Sequence, residues 1–106
     1  MKTTTQVIMT TTLDDADKAK ELARQIVAAR LAACVQLAPI HSVYQWKGAV
    51  EEAPETLLVI KTRQDRVDEV MQFIRKQHPY EVPEMTVMPL AGGWPEYLAW
   101  IDAESR

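Results

Sequence analysis

The sequence predicts one α+β domain: an antiparallel sheet with two helices on one face and a short helix at the C-terminal end. Three observations predict it. Segments rich in β-branched residues alternate with segments whose apolar residues recur every three or four positions. Their order along the chain is strand, helix, strand, strand, helix, strand. Three of the strand segments are apolar on both faces, which two helices on one side cannot cover. A chain of 106 residues hides roughly two-thirds of its extended surface on folding, enough for one core. There is no repeat and no Gly/Ser linker, and the only glycines are Gly48, Gly92 and Gly93, so residues 1–106 read as a single domain.

Gln6–Thr11 is rich in Thr and β-branched residues and reads as the first strand. Thr12-Leu-Asp-Asp15 resembles a capping box, with Thr12 as N-cap and Asp15 three residues on. Ala16, Ala19, Leu22, Ala23, Ile26 and Val27 follow at helical spacing through Ala29. Cys34–Leu37 begins a strand that continues past Pro39 into His41–Trp46, and Lys47-Gly48 opens a turn. Glu51-Glu52-Ala53-Pro54 reads as a polar connection, and Thr56–Thr62 as a strong strand. Asp65 is placed to cap a second helix carrying Val67, Val70, Met71 and Ile74, which Pro79 ends. Glu84–Leu90 reads as a strand and Trp94–Ala103 as a short helix with Pro95 in its first turn. This βαββαβ order with a tail helix is the split-βαβ, ferredoxin-like pattern. Right-handed crossovers put its two main helices on the same face.

Alternation along the strands exposes a difficulty. Leu57 and Val59 oppose Leu58 and Ile60; Met85 and Val87 oppose Met88 and Leu90; Val7 and Met9 oppose Ile8. An antiparallel sheet with a solvated face should alternate apolar with polar. This one therefore needs a cover on its second face. The candidates are the tail helix, with Trp94, Tyr97, Leu98, Trp100 and Ile101, or further copies of the chain.

Composition narrows the function classes. The chain is 47% hydrophobic and 25% charged, an ordinary globular balance. A net charge of −3 argues against nucleic acid, whose binders carry a basic face. No apolar run reaches the ~18–20 residues that span a bilayer, which argues against a membrane partner. Met1–Thr12 holds one Lys and no apolar signal block, and a single Cys permits no internal disulfide; both suit a cytoplasmic protein. Walker, GxGxxG, CxxC, HExxH and GxSxG patterns are absent.

Few residues remain that can carry chemistry. Cys34 shares a face with Ala32 and Gln36, away from Ala33, Val35 and Leu37, which suit the helices. It is either a small hydrophobe at an interface, or a soft metal ligand or nucleophile. His78 ends the second helix, as a cap or a ligand; His41 lies in a strand. His78-Pro-Tyr-Glu-Val-Pro-Glu84 is a rigid loop bearing an imidazole, a phenol and the carboxylates of Glu81 and Glu84. Tyr44, Trp46 and Lys61 suggest an aromatic floor beside an ammonium, which fits a small anion, a planar ligand or an interface.

Arg30-Leu-Ala-Ala-Cys-Val35, Ser42-Val-Tyr-Gln-Trp-Lys-Gly48, Leu57-Leu-Val-Ile-Lys-Thr62, the His78–Glu84 loop and Tyr97-Leu-Ala-Trp-Ile101 together resemble the CutA divalent-cation-tolerance family. They span nearly the whole chain in the family's order. The resemblance implies a ferredoxin-like homotrimer similar to the PII signalling proteins, cytoplasmic and linked to metal-ion tolerance and copper binding. The copper ligands it implies are Cys34 and His78. Met9 stands where some members carry a further Cys, and a thioether also suits soft copper. Gln36 and Ala38-Pro39-Ile40 depart from the commoner Asn and Pro-Gly usage. Three functions follow for test. The first is a non-catalytic trimer that takes up copper or another divalent cation. The second is a signalling trimer holding a small anionic metabolite in intersubunit clefts built from Tyr44, Trp46, Lys61, Tyr80, Glu81 and Glu84. The third, an enzyme with Cys34 as nucleophile, lacks an orienting partner at recognisable spacing.

Overall fold

A computed structural model describes residues 5–106 of the chain. The first four residues of the Thr-rich N-terminal stretch lie outside the described residues. The elements are β1 (Gln6–Leu13), α1 (Ala16–Ala28), β2 (Cys34–Trp46), β3 (Ala49–Arg63), a 3-10 turn (Gln64–Arg66), α2 (Val67–Gln77), β4 (Thr86–Pro89) and α3 (Pro95–Glu104). All strand pairs are antiparallel, in the sheet order β2-β3-β1-β4. The mixed fold with its antiparallel sheet and tail helix is as the sequence predicts, with four boundary corrections.

Thr12 is a strand residue; β1 runs to Leu13, and Asp15 is the N-cap of α1. Its carboxylate accepts from the backbone N–H of Asp17 at 2.9 Å and Lys18 at 3.0 Å, satisfying two donors that the first turn leaves free. Asp65 caps nothing. It pairs with Arg63, and Arg66 stands at the N-cap of α2 without a side-chain cap bond. The polar stretch Glu51–Pro54 is not a connection but part of β3, opposite Ser42–Tyr44 and His41 on β2. Pro54 is tolerated because β3 pairs with β1 only from Thr56 onward, so its missing N–H faces no second partner. Finally, β4 is limited to Thr86–Pro89.

The turn at Lys47-Gly48 is a two-residue hairpin loop with positive φ at both residues, 50° and 82°, which matches the right-handed twist of the strands it joins. Arg30, at φ 59°, ends α1. Its N–H donates to the Val27 carbonyl, and the Leu31 N–H to the Ile26 carbonyl, a Schellman pattern that seats Leu31 in the core.

The core lies between the helices and one sheet face. Val7, Met9, Leu58 and Ile60 pack beneath Ala19, Leu22, Ala23 and Ile26 of α1 and Val67, Val70 and Ile74 of α2. The opposite face is covered only at one end, by α3. There Gln6 donates to the Asp102 carboxylate at 3.0 Å, and Lys61 Nζ donates to the Tyr97 hydroxyl at 3.2 Å. Along the rest of that face Thr10, Leu57 and Val59 are half-buried and Met88 is half-exposed. The β2–β3 ribbon runs past the end of β1 and stretches the molecule to 50 × 26 × 22 Å.

Candidate functional site

The pairing register places the chemistry-bearing residues of the strands on named faces. Ile8, Lys61 and Cys34 form one row across β1, β3 and β2; Met9, Ile60 and Val35 form the next. Ile60 and Met9 are buried under the helices. Cys34 therefore points to the other face, beside Lys61, and is half-buried. Met9 and Cys34 lie on opposite sides of the sheet, so the thioether is core and does not join the thiol.

His78 is separated from both. It is 7% exposed, and both ring nitrogens are engaged. Nε2 donates to the Thr12 carbonyl at 2.7 Å, and Nδ1 accepts the Tyr80 N–H at 3.2 Å. The two bonds together require the Nε2–H tautomer. Thr12 sits in the row of Leu57 and Ala38, four residues along β2 from Cys34, or about 13 Å at ~3.3 Å per residue. Met9, Cys34 and His78 thus form no common site within one chain, and a metal held by Cys34 must draw its other ligands from elsewhere. Among the described residues, no group of three or more His, Cys, Asp or Glu side chains converges as a metal site. His41, the other imidazole, pairs with Glu52 at 2.8 Å on the exposed ribbon.

What the fold does bring together is a cleft of about 570 Å³ where the β2–β3 ribbon leaves the sheet. Tyr44, Trp46, Tyr80, Glu81 and Glu84 all line it, as the sequence suggests. Thr12, Ser42, Val43, Glu55 and Val82 line it as well. Lys61 does not. It lies at the other end of β3, ten residues from Glu51, which faces Tyr44, with its ammonium 5.3 Å from the Tyr97 ring centre. The ammonium intended for an anion is therefore absent from the cleft, and three carboxylates are present.

The loop forming the cleft wall is held from both ends. Arg75, at the end of α2, donates to the Tyr80 carbonyl at 3.4 Å. The His78 and Tyr80 rings meet in a T-shaped contact, with centroids 4.6 Å apart. The Tyr80 hydroxyl crosses to β3 and donates to Glu55 Oε2 at 2.6 Å. Burial, then this bond and the charge of Glu55, push the Tyr80 phenol well above its ordinary value, so it stays a neutral donor. Glu84 accepts from the Thr10 hydroxyl at 3.0 Å, and Thr10 also meets the Thr86 hydroxyl. At the rim Lys47 Nζ stands 3.7 Å from Glu81 and 5.5 Å from the centre of the Trp46 ring.

Of the lining residues that sequence reasoning misses, Glu55 is the charged one. Reading Glu51–Pro54 as a connection takes the strand away from it, although alternation from Leu57 and Val59 carries Glu55 onto the same face.

These features describe a ferredoxin-like domain with a partly covered sheet face bearing one thiol, and an acidic aromatic cleft at its edge. Comparison with known proteins places it. The CutA1 divalent ion tolerance protein family model matches residues 7–104, and the chain belongs to that family. It is 40% identical over 101 residues to the divalent-cation tolerance protein CutA of Pectobacterium atrosepticum, covering 94% of this chain and 91% of that protein. It is 50% identical over 84 residues to Protein CutA of Mus musculus, covering 78% of this chain and 48% of that protein. The chain thus spans about half the length of the mouse relative. Among solved structures, CutA1 of Oryza sativa superposes with a TM-score of 0.94 at 37% identity, covering 98% of this chain and 96% of that one.

Proposed function

We propose that the protein is a non-catalytic homotrimer that takes up divalent metal ions, copper among them, and that Cys34 supplies the soft donor. The observation that carries this reading is the position of Cys34: a half-buried thiol in the row of Lys61, on the sheet face of which α3 shields only one end. Two things support assembly on that face. Ile8, Leu57, Val59 and Met88 leave it apolar, and α3 shields only one end of it. Assembly also answers the ligand question, because neither Met9 nor His78 reaches Cys34 within a chain. The further donors then come from neighbouring protomers. Thiolate suits Cu(I), and Cu(II) heads the divalent affinity series at mixed N/O/S sites. An unpaired thiol suits a reducing compartment, which supports a cytoplasmic setting.

The test is copper binding by the full chain, measured by competition with a chromophoric chelator. Binding below about 1 µM is expected, with Cys34→Ser weaker by at least about tenfold. His78→Gln is expected to leave the affinity within about twofold, because its ring nitrogens serve the loop. Undiminished binding by Cys34→Ser rejects the site.

A further inference from the structure

We draw no further inference here: the strongest candidate, the open groove between α1 and the edge strand β2 lined by Lys20, Arg24, Val27, Val35 and Leu37, carries nothing because no feature of the structure shows what covers it.

Discussion

His78 and Tyr80 show how much a single side chain does here by joining segments. His78 ties the chain after α2 to the end of β1 through the Thr12 carbonyl, and Tyr80 ties the same loop to β3 through Glu55. His78→Ala leaves a buried carbonyl without its donor and is expected to cost about 1–3 kcal/mol in a urea titration. Tyr80→Phe removes one bond to a charged acceptor and is expected to cost about 1.5–3 kcal/mol. Tyr80 also sets a pH dependence. Its phenol is held above the ordinary value in the folded chain, so the unfolded chain ionises first. Stability is then full below about pH 10, the ordinary phenol value, and falls as pH rises beyond it. Urea midpoints measured between neutral and alkaline pH are expected to decline less steeply in Tyr80→Phe than in the parent; parallel curves contradict the assignment. At this scale the sequence is a partial guide. It marks the His78–Glu84 loop as dense in functional groups, but a hydrogen bond to Thr12, 66 positions away, has no local signature.

At the scale of elements, hydrophobic periodicity accounts for most of what forms. α1 and α2 bury the residues their 3.6-residue period selects, Leu22 and Ile26 on one, Val70 and Ile74 on the other. β3 buries alternate residues, Leu58, Ile60 and Thr62. Leu58 is fully buried, so Leu58→Ala is expected to destabilise by about 2–5 kcal/mol in the same titration. The errors fall at boundaries where local chemistry competes. Thr12 and Asp15 both suit an N-cap; pairing of Thr12 with Leu57 holds it in the strand, and the cap passes to Asp15. Glu51–Pro54 looks like a loop by composition, yet it pairs with β2 as a ribbon whose faces are both largely in solvent. Polar residues cost such a ribbon nothing, so hydropathy cannot distinguish it from a connection.

For the molecule as a whole, the sheet's second face is the dominant fact. α3 lies over the end with Gln6 and Lys61, so part of the apolar surplus is covered within the chain and the rest stays open. If the proposed trimer forms there, Val59→Lys, in the row of Thr10 and Gln36, is expected to shift sedimentation to smaller species and lower the thermal midpoint. A parent chain sedimenting as a stable 12 kDa particle at all concentrations rejects assembly on this face.

The sequence by itself determined the order of elements, the face that each helix and strand buries, and the surplus of apolar surface on the sheet. These follow from side-chain period and residue type, which are local properties. Only the tertiary structure decided which reactive groups meet. Strand register put Met9 and Cys34 on opposite faces and sent Lys61 to α3, and the loop after α2 closed Tyr80 onto Glu55. Such meetings depend on the relative offset of distant segments. A shift of one residue in pairing exchanges the faces of a whole strand, and no local pattern records that offset.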